Sequence, residues 1–297
     1  MTSTDPQRQG PSVSRILLAV DFSPSSRQAA TLARMFAELY GARLWITHVV
    51  KPAASLVAAF VHPAGAIESA EQQMARFLAS QSWHGIPCQT VIRSGELWPV
   101  LANIVEKNGI DLIVAGTHGR NWLTKVALGS AAELIVRNAK CPVLTVSPRT
   151  PSRVPDGLLR FVVPLDGQHH AESALAYTMA LANENNAQFV FLHVLHHKAM
   201  PVDYPDEEII DDDRYAAAME RLREIIPGPE RFRRDPDIVI ESGVPADTIV
   251  TVAMRTGADM IVMPVRRAQS LARSRVPWKT AYRVISHATC PVLTLAE

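Results

Sequence analysis

Ile16-Leu17-Leu18-Ala19-Val20-Asp21, an apolar run closed by an aspartate, returns 145 residues later as Phe161-Val162-Val163-Pro164-Leu165-Asp166. Thr47-His48-Val49 returns at the same distance as Leu192-His193-Val194. Val91-Ile92-Arg93-Ser94-Gly95 is echoed 148 residues on by Val239-Ile240-Glu241-Ser242-Gly243. Asn108-Gly109-Ile110-Asp111-Leu112-Ile113-Val114 is echoed at that same spacing by Thr256-Gly257-Ala258-Asp259-Met260-Ile261-Val262. Cys141-Pro142-Val143-Leu144-Thr145 recurs 149 residues on as Cys290-Pro291-Val292-Leu293-Thr294. Anchors that keep one order and almost one spacing mark a duplicated unit. Each copy is the size of a domain, not of a solenoid repeat.

The expected organisation is therefore a flexible tail at residues 1–12, a first domain at 13–149, a linker at 150–158 and a second domain at 159–297. The linker follows from Pro148, Pro151 and Pro155, which stiffen and extend the chain. Two domains also suit 297 residues at ~100–200 per domain.

Short apolar runs alternate with amphipathic stretches in the first copy. Residues 16–20, 44–50, 89–93, 112–115 and 143–146 read as strands, with apolar residues at consecutive positions. That composition suits parallel strands covered on both faces. Helices are expected over 25–40, 68–81, 98–108 and 130–138, with Gly41 and Gly109 at helix ends. The alternation gives an α/β doubly wound fold: in each domain a five-stranded parallel sheet with helices on both faces. The stripe Leu134, Ile135 and Val136 reads as core. The segment 53–61, between Pro52 and Pro63, is too short to span a membrane and reads as a loop or short helix.

Bulk composition excludes several classes. Hydrophobic residues make up 47% and charged residues 20%, an ordinary globular balance, and the net charge of +1 gives no overall pull toward nucleic acid or anionic membrane. The polar N-terminus has no apolar signal segment. Three cysteines without close spacing form neither a disulfide framework nor a metal knuckle, which fits a cytoplasmic protein. Cys141 and Cys290 read as packing residues, and a redox role for Cys88 stays open. His169, His170, His196 and His197 show no ligand spacing, and His193 repeats His48. No P-loop, dinucleotide fingerprint or nucleophile elbow occurs.

The loop after residues 112–115 carries the chemistry. It runs Gly116-Thr117-His118-Gly119-Arg120 and on to Gly129-Ser130-Ala131. Glycines let backbone amides approach phosphate oxygens. Ser130 stands where a helix N-cap belongs, so its hydroxyl and the free first-turn amides would form an anion site. In open α/β sheets ligands bind beyond the carboxyl ends of the strands, where strand order reverses.

The spacing Gly-x2-Gly-x9-Gly-Ser resembles the ATP-binding loop of the universal stress protein family. Asp21 after the first strand, His48-Val49 and the Cys-Pro-Val-Leu strand resemble that family too. The likeness covers both copies and implies tandem Rossmann-like domains of the adenine-nucleotide α-hydrolase-like type. It implies that Val20, Asp21 and Val49 line adenine and ribose. It further implies that Ala115, Gly116, Gly119, Gly129, Ser130 and Ala131 hold ribose and phosphates, which Mg2+ could accompany. Arg120 and His118 lie in the loop and could reach phosphate, or could be exposed loop residues. Asp21 could equally be a turn residue ahead of the first helix.

The second copy has lost the loop. Pro264 and Arg267 stand for Gly116 and Gly119, and Trp278 and Lys279 for Gly129 and Ser130. Proline removes an amide, and the larger side chains are expected to fill the phosphate space. The expectation is one ATP site, in the first domain. Arg266, Arg267, Arg273, Arg275 and Lys279 could form an anion site or pair with the acidic run from Asp203 to Asp213, or both could be solvated surfaces.

The resemblance implies an ATP-binding stress-response switch or partner-binding module, not a fast enzyme. Asp21 and His118 are the base candidates near the loop, so slow ATP hydrolysis stays open. A nucleotide-free interaction module and an adenylating enzyme are the alternatives. Strands that open with Pro142 and Pro291 suit sheet edges, which in this family pair domains, so an intramolecular pseudo-dimer is expected. A homodimer or a protein partner is compatible with the sequence.

Overall fold

The computed structural model describes residues 13–52, 63–83, 85–118, 128–151, 159–166, 172–184, 187–195, 212–265 and 278–296. The tail 1–12, the segment 53–61 and most of the linker lie outside them. So do His169, His170, His196 and His197, the acidic run up to residue 211, and Arg266, Arg267, Arg273 and Arg275.

The first repeat follows the expected alternation. Its strands are β1 (Arg15–Ala19), β2 (Arg43–Val50), β3 (Cys88–Ser94), β4 (Leu112–Gly116) and β5 (Val143–Val146). Its helices are α1 (Pro24–Tyr40), α2 (Pro63–Ala79), α3 (Leu97–Asn108) and α4 (Ser130–Asn138). The second repeat holds β6 (Arg160–Pro164), α5 (Glu172–Glu184), β7 (Gln188–Leu195), α6 (Asp212–Ile225), β8 (Asp237–Ser242), α7 (Pro245–Thr256), β9 (Met260–Val265), α8 (Trp278–His287) and β10 (Val292–Ala296). Helix α2 starts at Pro63, ahead of the expected residue 68.

The strand order is β3-β2-β1-β4-β5-β10-β9-β6-β7-β8 in one ten-stranded sheet. Each half is parallel throughout, and only β5 and β10 run antiparallel. The seam is symmetric: Val292 faces Thr145 and Thr294 faces Val143. Thr145 Oγ1 donates to Val292 O at 3.0 Å, and Thr294 Oγ1 donates to Val143 O at 3.1 Å. The two edges therefore cover each other, which removes the hazard of an open strand.

Alternate residues on each strand feed opposite faces. Ile16 and Leu18 enter one core with Leu44, Ile46, Leu112 and Val114. Leu17 enters the other with Trp45, Ile113, Ile135 and Val136. Leu134 does not follow its neighbours. It is 38% exposed, because only two of three consecutive helical positions can face one core.

Helix ends follow local chemistry. Gly41, Gly109 and Gly257 close α1, α3 and α7 in the left-handed conformation, at φ 63°, 59° and 63°. Glycine adopts that geometry without a Cβ penalty. The repeated aspartate of the fourth anchor is also structural. Asp111 accepts from the amides of Ser14 and Arg15 at the start of β1, and Asp259 accepts from that of Arg160 at the start of β6. Burial pushes the Asp259 carboxyl up, and its bond from Arg160 opposes that shift.

Candidate functional site

The strand order reverses between β1 and β4, so their carboxyl ends diverge and leave a crevice. A cavity of about 270 Å³ occupies it. Val20, Asp21, Val49, Ala115, Gly116, Gly129, Ser130 and Ala131 all line this cavity, although they come from four separate stretches of chain. Gly119 and Arg120 lie outside the described residues.

Asp21 organises the turn between β1 and α1. Its Oδ1 accepts from the Ser23 amide at 3.0 Å and from Ser26 Oγ at 2.5 Å. Ser23 is the N-cap of α1 and accepts from the Ser26 amide. The turn role of Asp21 is therefore real, and the residue lines the cavity as well.

Phe22 has a φ of 64°, unusual for a residue with a side chain. Its ring lies 4.5 Å from the His48 ring and 6.0 Å from Phe77. His48 in turn places Nδ1 2.7 Å from Val20 O, locking the end of β1 to β2. His193 repeats this contact with Leu165 O at 2.8 Å. Both histidines thus serve as strand-end braces.

Gly116 answers to packing. A Cβ there would meet Ser25 Oγ at 2.7 Å and the Ser25 carbonyl carbon at 2.9 Å. The missing side chain makes room for the first turn of α1.

The start of α4 differs from expectation. Gly129, not Ser130, is the N-cap, and no side chain caps the helix. The Gly129 amide donates to Thr117 O at 2.7 Å, which closes the loop on itself. The amides of Ser130, Ala131 and Ala132 belong to the first turn, where helix geometry offers no carbonyl partner. All three residues line the cavity. An uncapped turn facing a cavity is a site for negative charge.

His118 is anchored, not free in the loop. Its carbonyl accepts from the hydroxyls of Ser23 and Ser25, and its Nδ1 lies 2.7 Å from Thr117 Oγ1. Burial and the nearby Arg149 charge hold its pKa below the usual histidine range, so the ring is neutral at pH 7. It is not on the cavity wall.

Lys51, Leu97, Leu101, Thr47 and Ile135 are also on the wall and were not legible from the loop motif. Leu97 and Leu101 begin α3, whose helical spacing was the only available signal. Thr47 Oγ1 is buried without a hydrogen-bond partner among the described residues. Among those residues no group of three or more His, Cys, Asp or Glu could hold a metal ion. No helix among them is long and apolar enough to cross a membrane.

The second repeat corrects part of one expectation. Among the described residues its crevice holds a cavity of about 520 Å³ lined by Pro264, while Arg267 lies outside the described residues. Trp278 and Lys279 do not line it. The Trp278 ring instead sits 6.3 Å from Tyr282 and beneath Arg137 of the first repeat.

Comparison with known proteins agrees with this architecture. The model of the universal stress protein family matches residues 12–147 and again 158–295. A universal stress protein of Thermus aquaticus is 32% identical over 135 residues, spanning 44% of this chain and 96% of that one. Universal stress protein A homolog 1 of Coxiella burnetii is 32% identical over 136 residues, spanning 44% and 94%. The crystal structure of a universal stress protein from Archaeoglobus fulgidus superposes over 95% of this chain and 98% of its own, with a TM-score of 0.64 at 20% identity. With the family's domain matched twice along one continuous sheet, the chain belongs to the universal stress protein family.

Proposed function

We propose that the first repeat binds ATP and that the protein works as a nucleotide-dependent switch or partner-binding module. The observation that carries this is the uncapped first turn of α4, whose residues Ser130, Ala131 and Ala132 face a cavity at the switch point of the sheet. Phosphate oxygens would take the first-turn amides and favour the positive end of the helix. Val20, Asp21 and Val49 would flank the base and ribose deeper in the crevice. Lys51 adds a positive charge to the same wall. Gly119 and Arg120 complete the set through the loop pattern shared with the family.

Binding without fast turnover follows from the wall itself. Asp21 is the single carboxylate on it among the described residues, and its Oδ1 already accepts from Ser23 and Ser26. Hydrolysis needs a positioned water and a base beside the γ-phosphate. Mg2+ would come with the phosphates and keep most of its ligands as water.

A nucleotide-free interaction module has one observation in its favour: the close approach of Ser25 is a packing reason for glycine at 116. Denaturing the purified protein and analysing the released small molecules separates the two, with Gly119→Val alongside. About one equivalent of ATP per chain, lost in the variant, supports the switch. No nucleotide from either protein and no thermal shift on adding ATP supports the nucleotide-free module.

A further inference from the structure

The cavity of the second repeat occupies the same place in its half-sheet but has a different chemistry. Leu192 replaces Thr47, Met263 replaces Ala115, and Pro264 replaces Gly116 on its wall. Each change removes a polar group or adds apolar surface. Leu165, Val194 and Ile249 extend that surface. His193 stands on this wall as His48 stands on the first, and no Phe, Tyr or Trp among the described residues lines either cavity.

Charge enters from a different direction. Among the described residues none of α2 lines the first cavity, whereas α6 contributes Arg214 and Arg221 to the second. The two arginines are seven residues apart, two helical turns, so they share one face of α6. Arg221 makes no ion pair among the described residues. Asp166 is the one carboxylate on the wall among the described residues, and those lining side chains carry a net positive charge. At about 520 Å³ the space is within the range of small-molecule clefts, ~300–1,000 Å³.

We propose that the second repeat is a binding site for a small amphipathic anion, an aliphatic body ending in a single carboxylate-type head. Leu192, Ile249 and Met263 contact the body, and Arg221 and Arg214 hold the head at the mouth. Guanidinium groups suit this task because their fixed fork of donors matches a carboxylate. The apolar walls reward an aliphatic chain in proportion to the surface buried. Duplication would thus have produced two sites of different selectivity on one sheet. The proposal does not depend on ATP binding in the first repeat.

Equilibrium dialysis and calorimetry of the full chain with decanoate, below its micellar range, test it. The expected result is one saturable decanoate site per chain, binding weakened roughly tenfold by Arg221→Glu, and weaker binding of the neutral decan-1-ol. Circular dichroism of the variant checks its folding, and Arg221 is exposed, so its replacement leaves the core intact. Excess ATP is expected to leave decanoate bound. Displacement of decanoate by ATP, absence of a saturable site, or unchanged affinity in both Arg221→Glu and Arg214→Glu would overturn the assignment. Loss of ATP binding in Gly119→Val with decanoate binding retained separates this site from the one in the first repeat.

Discussion

The guanidinium carbon of Arg137 lies 5.0 Å from the centre of the Trp278 ring, joining the last turn of α4 to the first residue of α8. Trp278 stands where the first repeat has Gly129. A position that gives a cap in one domain therefore gives a docking surface in the other. The same helix α4 carries the candidate anion site at its opposite end, so both ends of it are engaged.

That contact is expected to contribute about 0.5–1 kcal/mol to stability. Arg137 also pairs with Glu133 at 3.0 Å, so a single alanine variant would mix two effects. A double-mutant cycle of Arg137→Ala with Trp278→Leu, read by urea denaturation, isolates the cross-repeat contact. A coupling energy near zero would show that the two side chains are merely adjacent.

Ala131→Asp separates helix stability from ligand binding. Ala131 is exposed at the second position of α4. An aspartate there complements the helix dipole and is expected to raise stability by about 0.3–1 kcal/mol at low salt. It also opposes phosphate, so ATP affinity should fall roughly tenfold or more. Thermal unfolding and ATP titration of one preparation check both signs. Unchanged ATP affinity argues against the α4 amides as the phosphate site.

Phe22 offers an inverted glycine test. Because its φ is 64°, the left-handed region, any side chain there carries a backbone penalty. Phe22→Ala loses the ring contacts and keeps the penalty, whereas Phe22→Gly loses the ring and relieves the penalty. The glycine variant is expected to be more stable than the alanine variant by about 1 kcal/mol. In an ordinary loop the order would be reversed. The second repeat has Gly167 at the matching sequence position.

Gly116→Ala is expected to destabilise the fold by about 1–3 kcal/mol with or without nucleotide. The added methyl would sit 2.9 Å from the backbone carbon of Ser25, which cannot move without shifting α1. A stable Gly116→Ala protein whose only defect was ATP affinity would assign the glycine to the ligand instead.

Cys290 gives the chain an alkaline limit. Burial pushes its thiol up to about 12 from an ordinary 9.0. Below pH 9 both folded and unfolded chains keep the proton, and the contribution to stability is complete. Between about 9 and 12 the unfolded chain loses its proton first, so stability falls by about 1.4 kcal/mol per pH unit. Cys290→Ala is expected to flatten that slope, measured by denaturation from pH 8 to 10. Cys88 is exposed and should react with thiol reagents in the folded protein, whereas Cys290 should not.

The sequence by itself determined the duplication, the strand-helix alternation and the glycine-rich loop, because these are written in local periodicity and in anchors that recur. It also marked Gly41 and Gly109 as helix ends, since a left-handed residue is a local backbone requirement. Only the tertiary structure decided what each loop residue answers to. Gly116 makes room for Ser25, far away in sequence, and the Gly129 amide is taken by Thr117, so Ser130 is not the cap. Lys51, Leu97 and Leu101 reach the same cavity because β1 lies between β2 and β4 and α3 packs on α4. Trp278 stays off the wall of the second crevice, because it packs toward Tyr282 and Arg137. Side-chain volume can be read from a sequence, but the direction in which a side chain packs depends on partners that only the folded chain assembles.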